Sequence, residues 1–179
     1  LSDSELVEML REPRTRREGF AVLVKQYSEK LYWKVRRIVL SHEDANDVLQ
    51  NVFIKVWSNL QNFQGKSSLS TWLYRIAVNE SLDFLRKQKL SDKVSADEDV
   101  SVASRLMSDE YFDGDEVQAR LQEAVARLPE VQRTVFNLKY FEEMKYSEMS
   151  QILNTSEGAL KASYHLAVKK ITEYLHLFD

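Results

Sequence analysis

The chain has 179 residues with 44% hydrophobic and 30% charged side chains, no cysteine, four glycines and two prolines. Disulfides, thiolate metal ligands and a thiol nucleophile are thereby excluded, and so few turn-forming residues argue against a sandwich or barrel and for helices. The formal net charge of -3 hides a division: 15 Lys/Arg face 11 Asp/Glu in residues 1–90, 3 face 9 in residues 91–120, and 7 face 8 in residues 121–179. A basic first part, an acidic middle and a nearly neutral end read as separate electrostatic objects.

Leu6, Val7, Met9 and Leu10 form a short amphipathic helix, capped by Ser2 or Ser4 and ended near Pro13. Residues 17–40 place Phe20, Leu23, Val24, Tyr27, Leu31, Val35, Ile38 and Val39 at spacings of three and four, one buried stripe on a long helix. Lys25, Lys30, Lys34, Arg36 and Arg37 fall on its other face and read as solvated surface. A third helix, 44–63, turns Ala45, Val48, Leu49, Val52, Phe53, Val56, Trp57 and Leu60 inward and Asp47, Gln50, Asn51 and Lys55 outward. Asp47 suits either the first helical turn or a partner.

Residues 64–70, QGKSSLS, are a loop in which Ser70 can cap a helix over 71–88. That helix has Trp72, Leu73, Ile76, Ala77, Leu82 and Leu85 for the core. Arg75, Asn79, Asp83, Arg86 and Lys87 form a polar strip that becomes basic. From about residue 90 to 115 the periodicity fades and acids accumulate, as expected of a flexible acidic linker with at most a short helix over 102–107.

The last part is helical throughout. Helices are expected over 116–128, with Val117, Leu121, Ala124, Val125 and Leu128 inward, and over 129–141, with Pro129 in the first turn and Val131, Val135, Phe136 and Leu138 inward. Two more follow over 146–153 and 156–175, the last capped by Ser156 and packed through Leu160, Tyr164, Ala167, Val168, Ile171 and Leu175. Asn154 between them tolerates the left-handed conformation. A helix, a tight turn and a longer helix make the helix-turn-helix pattern, and Glu157, Lys161, His165, Lys169 and Lys170 lie on the outward face of its second helix. The fold expected is therefore all-α: two small helical domains, 1–90 and 116–179, joined by a flexible acidic linker over 91–115, the second ending in a helix-turn-helix.

No Walker motif, GxGxxG, GxSxG or histidine cluster is present, so the chain nominates no catalytic residue, metal or cofactor. No apolar run approaches the roughly 20 residues of a membrane span, and a protein of the cytoplasm is expected.

Residues 44–87 resemble region two of the extracytoplasmic-function group of bacterial RNA polymerase sigma factors, which carries a D-x-x-Q-x-x-F-x-K-x-W helix, a loop, and then T-W-L-Y-R-I-A-x-N-x-x-x-D-x-L-R. Asp47, Gln50, Phe53, Lys55 and Trp57, then Thr71 to Ala77, Asn79, Asp83, Leu85 and Arg86, match in order. Residues 128–171 resemble region four, with Asn154 at its usual glycine, Ser150 at its usual alanine, and Ser163, Leu166 and Val168 where arginines are frequent. The resemblance implies a dissociable promoter-recognition subunit that also assists strand opening. Asp47, Gln50 and Asn51 would meet the clamp helices of the largest core-polymerase subunit. Lys66, Ser67, Trp72, Arg75, Asn79, Asp83, Arg86 and Lys87 would receive a flipped base of the minus-ten element. The second domain would sit on the flap of the second-largest subunit, with Ser156, Glu157, Lys161, His165, Lys169 and Lys170 in the major groove at the minus-thirty-five element. An anti-sigma factor, often membrane-attached in this group, is the further partner implied, with no insertion of the chain itself into lipid. A free-standing helix-turn-helix regulator and a protein-sequestering helical module are the alternatives.

Overall fold

The computed structural model describes residues 1–90 and 114–178, and every regular element among them is helical. The chain divides into two compact units, Leu1–Lys93 and Val94–Asp179.

In the first unit α1 (Asp3–Arg11), α2 (Arg16–Val39), α3 (His42–Ser58) and α4 (Leu69–Leu90) pack around α2, which touches the other three, while α3 also packs on α4. Ser2 caps α1 in a reciprocal pair: its hydroxyl accepts from the Glu5 amide at 3.2 Å and its own amide donates to the Glu5 carboxylate at 3.0 Å. α1 lies flush on α2 because Gly19 has no side chain; a Cβ there would stand 2.9 Å from that of Met9. Leu6, Leu23, Leu31, Val35, Val48, Val52 and Leu73 are sealed from solvent, each burial stabilising by roughly 1.5–3 kcal/mol.

The α2–α3 corner departs from the expected surface. Arg36 is 5% exposed rather than solvated: its Nη1 donates to the Tyr32 hydroxyl at 2.8 Å and its Nε to the Leu40 carbonyl at 3.0 Å. The same hydroxyl is 2.7 Å from Nδ1 of His42. Two directed bonds from the guanidinium, to a hydroxyl that His42 also holds and to a carbonyl, offset the cost of burying it. Lys34 is likewise committed, 4.1 Å over the ring of Tyr74. Leu40 itself takes the left-handed conformation, φ 73°, and Ser41 then caps α3 by accepting from the Asp44 amide at 3.0 Å.

Other boundaries shift by small amounts. α3 stops at Ser58 and a 3-10 turn, Leu60–Asn62, replaces its expected last turn. Ser68, not Ser70, caps α4, accepting from the Thr71 amide at 3.2 Å, because Leu69 is already drawn into the core. The expected helix over 102–107 lies outside the described residues.

The second unit comprises α5 (Glu116–Ala126), α6 (Glu130–Phe136) continued by a π turn (Asn137–Phe141), α7 (Tyr146–Leu153) and α8 (Glu157–Leu175), with α5, α6 and α7 each against α8. Its core gathers Ala124, Val125, Leu128, Phe136, Ala167 and Ile171, with Phe136 stacked on Tyr164 at 5.8 Å. Pro129 is the cap before α6 rather than its first helical residue. Four residues expected inside are out: Trp57 is 44% exposed, Val117 70% and Val131 62%, and Val168 is also exposed. Val56, Ala119, Val135 and Ala167, fully buried on the same helices, fill the covered face instead.

Candidate functional site

Three strips of exposed polar side chains stand out. The first is on α3, where Asp47, Gln50 and Asn51 are exposed at i, i+3 and i+4 and Ile54, 63% exposed, continues them at i+7. Their inward neighbours Ala45, Val48, Val52 and Val56 fix the helix rotation. An apolar groove of about 420 Å³ opens beside Ile54, lined by Arg17, Phe20, Phe53 and Trp57, with the Phe20 and Trp57 rings 5.1 Å apart. Lys55 turns away from this strip. It is ion-paired with Glu80 of α4, and that hydrogen bond raises its pKa, so while staying exposed as expected it also ties two helices together.

The second strip runs along α4. Trp72, Arg75, Asn79, Asp83 and Arg86 follow one another at spacings of three and four, and so share a side of the helix, with Lys87 at i+4 from Asp83. Arg75, Asn79, Arg86 and Lys87 are exposed. Arg86 is paired with Asp83 at 3.0 Å, and Trp72 is half-buried with its ring 5.0 Å from that of Phe63. Lys66 and Ser67 stand in the loop just before α4, whose cap ties Ser68 to the hydroxyls of Ser70 at 3.1 Å and Thr71 at 2.9 Å. Gly65 has φ 72°, a conformation that L side chains rarely adopt.

The third strip is on α8. Ser156 caps it, accepting from the Ala159 amide at 3.2 Å, and Glu157, Lys161, His165 and Lys169 are exposed at successive spacings of four, with Lys170 beside them. The buried face of Leu160, Ala167 and Ile171 holds that strip outward. Asn154 takes the left-handed conformation expected of it, φ 52° and ψ 47°. Two side chains to which sequence reasoning gave no role shape this end. The Ser150 hydroxyl donates to the Thr155 carbonyl at 2.6 Å and closes the turn, and the Tyr146 ring lies under Lys161. Tyr146 is legible only as a partner of lysines far off in sequence, and Ile54 only as an apolar residue at i+7 of a polar strip.

Among the described residues no group of three His, Cys, Asp or Glu side chains could hold a metal ion, and no helix is long and apolar enough to cross a membrane. Two unlike helical units, one ending in a helix-turn-helix with an exposed polar outer face, define a DNA-binding protein of composite build.

Comparison with known proteins gives the particular family. Residues 23–91 match the model of sigma-70 region 2, and residues 118–171 that of sigma-70 region 4. The chain is 32% identical over 157 residues to the ECF RNA polymerase sigma factor SigW of Bacillus subtilis, covering 83% of this chain and 84% of that protein. It is 30% identical over 182 residues to the RNA polymerase sigma-H factor of Pseudomonas aeruginosa, covering 97% and 93%. At the level of fold it is similar to RpoE in the complex with the anti-sigma factor NepR from Bartonella quintana, at 20% identity with a TM-score of 0.66, covering 89% of this chain and 98% of that one. CnrH, in complex with the cytosolic domain of CnrY, gives 20% identity and a TM-score of 0.61 over 99% and 96%. The chain belongs to the ECF group of RNA polymerase sigma factors. It acts with core RNA polymerase in transcription initiation as a promoter-recognising subunit.

Proposed function

We propose a division of labour among the three strips, carried by one observation: each is an exposed polar row held outward by a fully packed apolar row on the same helix. Residues 1–90 form the polymerase and minus-ten domain, residues 116–179 the minus-thirty-five domain, and residues 91–115 the segment that joins them. Asp47, Gln50 and Asn51, with Ile54 beside them, dock on the clamp helices of the largest polymerase subunit. The loop 64–70 and the α4 strip receive an unpaired base, for which polar edges next to the Trp72 and Phe63 rings are suitable chemistry. The second domain rests on the flap of the second-largest subunit while α8 lies in the major groove. There Glu157, Lys161 and His165 face base edges, and Lys169 and Lys170 face phosphates.

The arginines frequent in the family are replaced by Ser163, Leu166 and Val168, so α8 carries little charge and depends on polymerase to hold it on DNA. An anti-sigma factor is the natural regulator, since one of the structurally similar chains is described in complex with such a protein. The place of action that goes with these partners is the cytoplasm.

The test is reconstitution. The full chain is expected to co-elute with core polymerase and to start run-off transcripts at discrete positions on a genomic fragment library. Sequence-selective duplex binding without polymerase, together with failure to co-elute, would overturn this division.

A further inference from the structure

Residues 11–17 read REPRTRR, four arginines in seven residues, and none has a role in the function just proposed. Two are explained locally. Arg16 donates from Nε to the Leu10 carbonyl at 3.0 Å and from Nη2 to the Arg11 carbonyl at 3.2 Å, while the Thr15 hydroxyl donates to the Met9 carbonyl at 2.8 Å. These bonds satisfy carbonyls that the end of α1 leaves unpaired and so lock the turn. Arg17 lines the apolar groove beside α3.

Arg11 goes elsewhere. α1 packs on the 3-10 turn Leu60–Asn62 that leads into loop 64–70. The Arg11 guanidinium reaches that loop, its Nη2 standing 3.2 Å from where a Cβ on Gly65 would be. Lys66 is the next residue. Both side chains are exposed, and neither is hydrogen-bonded or ion-paired to any described residue. Two unneutralised cations thus flank a residue with no side chain, where another backbone can come close. A guanidinium presents a planar fork of donors that matches phosphate.

We propose that Arg11 is a phosphate-binding residue for separated DNA: with Lys66 it clasps the backbone of the single strand whose base enters the α4 strip, so that α1 adds an arm to the strand-receiving site. This rests on the reading of loop 64–70 and α4 given above.

The test uses holoenzyme reconstituted from core polymerase and the full chain. It is titrated with labelled single-stranded DNA of the minus-ten sequence that the holoenzyme selects from a randomised pool, and with a scrambled strand, over a range of salt. Arg11→Ala is expected to weaken both strands alike and to reduce the slope of log affinity against log salt by about 0.7. Arg11→Lys restores the slope but not the full affinity. Asn79→Ala is expected to lose preference for the selected strand with the slope intact. An unchanged slope in Arg11→Ala, with Asn79→Ala losing preference, overturns the Arg11 assignment and leaves the α4 reading standing. A reduced slope in Arg11→Ala, with Asn79→Ala keeping full preference, supports the phosphate contact and removes the base-reading role from α4. Neither variant differing from wild type overturns both. The Arg11 side chain is exposed and unbonded, so its replacement leaves the fold in place, which a circular dichroism melt of each variant verifies.

Discussion

Nζ of Lys161 lies 5.6 Å from the centroid of the Tyr146 ring, so the first residue of α7 holds a side chain of α8. Lys139, on the π turn, approaches the same ring at 4.5 Å while donating to the Met144 carbonyl at 3.4 Å. One aromatic residue thereby orders two cations, of which Lys161 is the one proposed to face the major groove. An exposed cation–π contact is worth about 0.5–1 kcal/mol, so Tyr146→Leu is expected to weaken promoter binding by the holoenzyme by about 2- to 5-fold, and Tyr146→Phe to leave it unchanged. In a Lys161→Ala background the Leu substitution should add only what Lys139 contributes. A double-mutant cycle on promoter affinity measures the coupling, and a coupling of zero means that Lys161 is placed without the ring.

The α3 strip makes a second prediction. Asp47, Gln50 and Ile54 are exposed, so Asp47→Ala, Gln50→Ala and Ile54→Ala should each change folding stability by about 0.5 kcal/mol or less. Each should nevertheless weaken the complex with core polymerase. Calorimetric melting paired with competition against a labelled wild-type chain separates the two effects. A sharp fall in melting temperature with unchanged polymerase affinity would make the strip structural.

For α4, Asn79→Ala and Arg86→Ala should impair strand opening more than closed-complex formation, read by permanganate footprinting against retention of duplex DNA. Asp83 is the informative control. Its pair with Arg86 is exposed and worth about 0–1 kcal/mol, so Asp83→Ala should leave the melt nearly unchanged while freeing the Arg86 fork. A footprint identical to wild type in all three variants would move strand opening off this face.

A fourth prediction concerns pH. The Tyr27 hydroxyl donates to both carboxylate oxygens of Asp3, at 2.7 and 2.9 Å, and holds the start of α1 to α2. Burial first, and then Asp3, raise its pKa above the ordinary phenol value. A raised folded-state pKa gives stability that is fully present below the unfolded value of about 10 and is lost as pH rises through the higher folded value. Tyr27→Phe should therefore cost about 1–2 kcal/mol at neutral pH, and the gap to wild type should close only in strongly alkaline solution. Thermal melts of both chains from pH 7 to 11 test this; a gap independent of pH would mean that the hydroxyl does not titrate with unfolding.

Much of this architecture can be read from the chain before any coordinates. Ser2, one of the two caps open to α1, and Ser156 cap the helices they precede, and Asn154 sits left-handed at the turn, because caps and turns depend on two to four adjacent residues. Burial depends on partners, and there local reading falls short. Arg36 looks like one more cation on a basic face until Tyr32, a turn earlier, and the Leu40 carbonyl, a turn later, are seen to receive it. Val117 and Val131 look like core until Ala119 and Val135 are seen to take the buried places on their helices. The α4 strip is visible as a period of three and four, but the approach of Arg11 to Gly65 joins residues 54 positions apart, which no periodicity encodes.

The corner at Leu40 governs where α3 points. A bulky residue held at φ 73° stores strain on the order of 1–3 kcal/mol, and the Nε bond from Arg36 to its carbonyl keeps it there. Loosening that bond would let the chain leave α2 in another direction and swing α3 with its whole outer row. The aim of the strip proposed to meet polymerase is thus set by a buried guanidinium outside it, and a change at Arg36 would misdirect the strip while leaving every residue of it intact.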